Sequence, residues 1–206
     1  MKQLKIKDFV RIALLTALYF IFYALTMAIT MPFGPFAHAI SPGFAGLLSG
    51  AVIFFTSRKV GKMWQYTIMI AIMMLAFTLM GGGYWIWTLT SMVMAIIADL
   101  IVGGNKEASV LKVAIASGLM HVGQAWGSIV PSWLFLEKYR ADWIARGQTP
   151  EAMDAMIKYT AGAMGVLSTV ITFILAFIGV YIGYFILKKH LEKKPDPAEN
   201  TDASIS

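Results

Sequence analysis

Six apolar runs, parted by short polar or glycine-rich breaks, set the pattern of this chain. The first, RIALLTALYFIFYALTMAITM, runs from Arg11 to Met31 and carries no charge after Arg11 for twenty residues. That is about the length a helix needs to cross a hydrocarbon core. The runs predict six spans, at 12–31, 36–56, 64–80, 84–102, 111–135 and 160–187. The second is irregular at its start, where Pro35, His38, Pro42 and Gly43 interrupt it. Small residues are not scattered evenly within the runs. Ala13, Ala17, Ala24 and Ala28 fall within roughly 60° of arc on a helix. Such a strip admits the close approach of another backbone, either one of the chain's own helices or another protein's. Span six carries a longer strip, Gly165, Thr169, Thr172, Ala176, Gly179 and Gly183, and span two has the pair Gly46 and Gly50. Both read as close helix packing.

Composition turns this pattern into a class. The chain is 58% hydrophobic with a mean hydropathy of +0.70, and 14% of its residues are charged. A soluble domain carries about 25%. An all-α integral membrane protein is expected, with one membrane domain over residues 1–190. The net charge of +6 lies in short clusters between apolar runs, which argues against a nucleic-acid surface. Four basic residues precede span one, three join spans two and three, two join spans four and five, and four follow span six. With six spans, these thirteen of the seventeen basic residues share one side. The positive-inside rule then puts both termini in the cytoplasm. Residues 191–206 are polar and contain Pro195 and Pro197, which predicts a disordered cytoplasmic tail. The first run is too long for a signal-peptide core and no A-x-A-like site follows it, so it reads as an anchor.

The break between spans five and six is the longest, about 24 residues, and mixes four basic with four acidic residues. Within it, Thr149 followed by Pro150 and Glu151 predicts a capped short helix, PEAMDAMIKY. A loop of this length is either a lid over a site or a plain connector.

Few residues offer chemistry. There is no P-loop, so the chain does not hydrolyse ATP by one, and there is no H-E-x-x-H or G-x-S-x-G. Cysteine is absent, which excludes disulfides and Cys-ligated metals. Three histidines without close spacing argue against a nickel or cobalt site, and no metal is expected. Asp99 is the sole acidic residue within a predicted span. It lies near the cytoplasmic end of span four, where it is either hydrated, paired with a basic loop residue, or ion-coupling. Span five is more informative. Ala114, Gly118, His121, Ala125, Ser128 and Ser132 share a face, with Gln124 on its flank. Polar groups in lipid must face protein or a wet cavity, so this cluster is either interhelical bonding or a cavity wall. The turn before span four, GGGYWIWT, sets Tyr84, Trp85 and Trp87 at the outer surface. These are either an interfacial aromatic belt or rings that stack on a flat ligand. His38 is at the same surface. The candidate ligand contacts are therefore His38, Tyr84, Trp85, Trp87, His121, Gln124 and Ser128. No charged residue sits in the middle of a span, which favours a neutral, partly aromatic ligand over a bare cation.

The opening MKQLKIKDFVRIALLTALYFIFYAL resembles the substrate-binding S-components of energy-coupling factor (ECF) transporters, and more narrowly their MptD-like, or Trep–Strep, group. The Lys5-Ile6-Lys7-Asp8 and Ala17-Leu18-Tyr19 segments, the glycine-rich outer turn and Ala98–Ile101 in span four carry the likeness, which covers most of residues 1–190. It implies a micronutrient-uptake subunit of an ABC importer in a bacterial cytoplasmic membrane, binding a vitamin-like molecule at its extracellular side. It also implies docking through Ala13 and Ala17 on a transmembrane coupling subunit driven by two ATPases, with no cofactor in this chain because the partners use the ATP. Two other readings rest on the residues alone: an intramembrane enzyme acting on a lipid or isoprenoid through His121 or Asp99, and a self-contained secondary carrier. Six spans without an evident internal repeat weaken the carrier.

Overall fold

The computed structural model of the chain describes residues 3–191. The expected tail, 191–206, lies beyond them except for Leu191. Among the described residues all regular structure is helical. Helix α1 spans Ile6–Thr30 and ends in a tight turn over Met31–Phe33, where Pro32 cannot continue the hydrogen-bond ladder. Gly34 follows with φ at +90°, a course open to glycine, and Pro35 opens the short α2, Pro35–Ala39. Helix α3 is Ser41–Lys59, α4 is Gln65–Leu79, α5 is Trp85–Val102 and α6 is Val110–Leu134. Two short helices follow, α7 over Leu136–Ala145 and α8 over Pro150–Thr160, before the long α9, Gly162–Leu191. The break in the second apolar run thus separates α2 from α3. The Thr149 hydroxyl accepts from the Ala152 amide at 3.2 Å, capping α8 where the sequence places its start.

Four helical segments are long and apolar enough to cross a membrane among the described residues: Ile6–Phe33, Trp85–Val102, Val110–Leu134 and Gly162–Lys189. Six spans were expected, and the other two helices fall short for different reasons. Helix α4 is apolar but only fifteen residues long. Helix α3 has nineteen residues, but three glycines and three serines dilute its hydropathy.

The six long helices form a ring in the order α1, α3, α9, α6, α5, α4, and α3 also meets α6 across it. Small residues decide how close the neighbours come. A Cβ on Gly46 would strike Ala176, and one on Gly50 would strike the Gly179 carbonyl, so α3 and α9 meet backbone to backbone. The strip on span six is therefore a packing surface, as its spacing predicts. The alanine strip on α1 is not. Helix α1 buries Ile12, Thr16, Tyr19, Tyr23, Thr26 and Thr30, while Ala13, Ala17, Ala24 and Ala28 all face outward.

The end of the bundle that holds the N-terminus is tied together by its basic loops. Lys62 Nζ pairs with Asp8 at 2.5 Å and donates to the Gln3 carbonyl at 2.6 Å. Arg58 donates to the carbonyls of Lys106 and Ala108. The opposite end has α2, α7 and α8 laid over it, with α8 packed on α2.

Candidate functional site

At that covered end lies a cavity of about 510 Å³, within the size range of small-molecule sites. Its walls come from the ends of five ring helices, with Ser41 and Pro42 at the start of α3 among them. Helix α1 supplies Tyr23 and Met27, α4 supplies Phe77, α5 supplies Trp87 from its first turn, and α6 supplies Gln124, Ala125, Gly127 and Ser128. Tyr23, Phe77 and Trp87 form one aromatic cluster, with centroids 5.0 Å apart for Phe77 and Trp87 and 5.7 Å apart for Tyr23 and Phe77. Trp87 lies flat against α6 because residue 127 is glycine; a Cβ there would come within 2.6 Å of the Trp87 Cβ.

A second aromatic cluster forms the roof. Tyr84, just ahead of α5, lies 5.9 Å from Tyr139 and 5.8 Å from Trp143, both on α7. Burial pushes the Tyr139 hydroxyl above its ordinary pKa. From α8, Met153 and Met156 complete the cover, and His38 of α2 closes one side. Two polar ties hold the roof. Arg146 donates to the Gly83 carbonyl at 2.8 Å while its guanidinium stacks over Tyr84 and Trp143, at 5.7 and 5.3 Å. Arg140 grips Asp154 through two nitrogens, at 2.6 and 3.1 Å, joining α7 to α8. Those bonds hold the Asp154 carboxyl below the usual carboxylate range.

Below the cavity, polar side chains of α6 and α1 meet. His121 is fully buried, with Nδ1 2.7 Å from the Ser117 carbonyl and Nε2 3.0 Å from the Tyr19 hydroxyl. Gln124 Nε2 donates to the same hydroxyl at 2.7 Å. Among the described residues, no Asp, Glu, Lys or Arg side chain lines the cavity.

The cavity therefore gathers five of the seven candidate contacts: His38, Tyr84, Trp87, Gln124 and Ser128. Trp85 is not with them. It is 59% exposed on the outside of the bundle, the place of an interfacial belt residue. His121 stands one side chain behind the wall and reaches it through Tyr19 and Gln124. Sequence reasoning missed Tyr19, Tyr23, Phe77, Tyr139 and Trp143. The signal for the first two was present in the α1 face that repeats as Ile12, Thr16, Tyr19, Tyr23, Thr26 and Thr30, opposite the alanines.

Asp99 corrects another expectation. It is neither hydrated nor paired with a basic residue among the described ones: it is 1% exposed and caps α4. It accepts from the Thr67 amide at 2.8 Å, the Thr67 hydroxyl at 2.7 Å and the Tyr66 amide at 3.2 Å. Those amides have no partner within their own helix, and the helix dipole favours a carboxylate there. Asp99 lies fifteen residues along α5 from Tyr84, roughly 22 Å of helix from the roof.

Comparison with known proteins adds a family but no relative of known activity. No curated protein and no solved structure matches the chain. A family model described as "hypothetical bacterial integral membrane protein (Trep_Strep)" matches residues 6–193, so the chain belongs to the Trep_Strep family of integral membrane proteins.

Proposed function

We propose that this chain is the substrate-binding S-component of an ECF-type importer in a bacterial cytoplasmic membrane, and that it captures a neutral, vitamin-like molecule from outside the cell. One observation carries the reading: a roofed aromatic cavity at one end of the bundle, separate from an exposed alanine strip that runs along α1 towards the other end. A binding subunit that moves in a complex needs both a closed site and a smooth face from which it can dock and release. In this proposal α3 and α4 also cross the bilayer, giving six spans with both termini in the cytoplasm. The positive-inside rule then places the basic end inside and the cavity outside. Ala13 and Ala17 meet a transmembrane coupling subunit, and two ATPases joined to it supply the energy.

The enzyme reading gains less support. His121 and Asp99, the groups it would use, belong to separate hydrogen-bonded sets that share no residue.

The test has two parts. The chain purified alone is examined by native mass spectrometry for a bound small molecule, and uptake of that molecule is measured in vesicles with and without the coupling module and ATP. The expected result is a bound neutral compound, and uptake that requires both module and ATP. Uptake by the chain alone in ATP-free vesicles would overturn the proposal in favour of a secondary carrier.

A further inference from the structure

The hydrogen bonds beneath the cavity run in one direction, and that direction fixes which atom of Gln124 is left for a ligand. The Ser117 carbonyl can only accept, so His121 Nδ1, 2.7 Å away, carries the proton. His121 is fully buried among helices with no carboxylate against it in the described structure, and an unpaired charge there is costly, so the ring is neutral and Nε2 is an acceptor. The Tyr19 hydroxyl, 3.0 Å from Nε2, must then spend its single proton on that nitrogen. Its oxygen can accept but no longer donate, so Gln124 presents Nε2 to it, at 2.7 Å. The amide cannot flip without setting its carbonyl against the lone pairs of Tyr19. Gln124 Oε1 is left buried and without a partner, on a side chain that is 3% exposed and forms part of the cavity wall. Buried acceptors in native proteins are paired, and the cavity is where a partner can arrive.

Resting on the reading of this cavity as a ligand site, we propose that it selects molecules bearing an N–H or O–H donor for Gln124 Oε1, and that Tyr19 and His121 are positioning residues that hold that oxygen in place. The roof sets the opposite pole. Trp143 Nε1, also buried and unpartnered, only donates, so it asks the ligand for an acceptor. His38 Nδ1 is unpartnered as well, but an imidazole nitrogen serves either sense and imposes no polarity. The ligand class is thus a neutral aromatic molecule with a donor at its inner end and an acceptor towards the roof.

Two measurements test this. The first needs no ligand. In ¹⁵N-histidine NMR of the full chain, with His38→Gln and His190→Gln used for assignment, His121 should show a protonated Nδ1 and a bare Nε2. The opposite tautomer makes Nε2 the donor to Tyr19, frees the Tyr19 proton for Gln124 Oε1 and overturns the proposal. The second uses matched neutral probes that differ by one methyl group on the donor: 7-hydroxycoumarin with 7-methoxycoumarin at pH 6, and indole with 1-methylindole. The donor member of each pair should bind at least tenfold more tightly, about 1.4 kcal/mol. Gln124→Leu should bring that ratio to about one, and Tyr19→Phe, which frees the amide to turn, should lower it to less than threefold. A purely structural role for Tyr19 would weaken both members alike and leave the ratio intact, overturning the positioning assignment. Equal binding of both members in the unaltered chain overturns the donor requirement alone, whereas binding of none of the four probes overturns the reading of the cavity itself.

Discussion

Asp99 shows how much a single side chain's role depends on contacts distant in sequence. As an acidic residue in an apolar run it invites a functional reading. In the fold its carboxylate takes the place of a cap that α4 lacks, since Trp64, the residue ahead of that helix, has φ at +73° and offers no side-chain bond. The partners lie 32 and 33 residues away, so no local pattern could reveal them. Asp99→Ala should leave the Tyr66 and Thr67 amides unpaired and cost about 2 kcal/mol. For a chain of this size that corresponds to a fall in melting temperature of about 4–8 °C in detergent. Asp99→Asn, which keeps one acceptor oxygen, should fall by less. Affinity at the cavity should not change, because the cap sits at the other end of α5. Loss of binding with an unchanged melting temperature would instead give Asp99 a direct part in function. The aromatic residues at the head of α5 were more legible. Tyr84 and Trp87 are three apart and share a helix face, whereas Trp85 points away from both, so a helix beginning there already sorts inward rings from the outward one.

Among the elements, the roof was half visible in the sequence. Helix α8 announces itself through Thr149, Pro150 and Glu151, local signals that need no tertiary context. Helix α7 has less: Glu137 lies in its first turn, but only Phe135 separates it from α6 and no side chain caps it. Its apolar residues, Tyr139 and Trp143, make sense only once Tyr84 is opposite them. What ties this roof to the rest is Arg146, whose hydrogen bond to Gly83 and stacking on Tyr84 join the α7 segment to the turn before α5. Opening the roof requires breaking that tie. Arg146→Ala should therefore speed release of a cavity-bound probe by about fivefold to tenfold, for a lost interaction of about 1–1.4 kcal/mol. The melting temperature should hardly move, because the guanidinium is on the surface. Stopped-flow displacement of a fluorescent probe reads the rate directly. An unchanged rate would mean that the roof does not gate the cavity. The Arg140–Asp154 pair adds no pH sensitivity near neutrality. Its carboxyl has a lowered pKa in the fold, so its contribution is complete above the unfolded value of about 3.9 and is lost only in acid.

The whole molecule is built with two polar ends of different kinds and apolar outer faces between them, on α1, α5 and α9 among others. The length of the apolar runs made the long helices legible, and the small-residue strips marked α3 and α9 as close-packing surfaces, because both are properties of a helix taken by itself; that the two strips meet each other is seen only in the fold. The cavity was not legible as an enclosed volume, because its walls come from eight helices whose arrangement no single run encodes. The alanine strip of α1 shows the same limit from the other side. Its spacing fits internal packing and external docking equally well, and only the ring order leaves Ala13, Ala17, Ala24 and Ala28 exposed. Around them Leu14, Ile21 and Leu25 are also exposed, so the face is apolar and meets either lipid or another helix. Lipid tolerates a large side chain at position 13 or 17, but a partner backbone drawn close by small residues does not. Ala13→Trp combined with Ala17→Trp therefore separates the two. The double variant should fold and bind a cavity probe within about twofold of the unaltered chain, because both positions face away from the core and lie towards the basic end. In vesicles carrying the coupling subunit and its ATPases, uptake should fall at least tenfold, a loss of about 1.4 kcal/mol or more at the contact. The variant should also fail to co-purify with the coupling subunit. Full uptake by the double variant would leave the strip as lipid-facing surface and remove the structural basis for docking through α1.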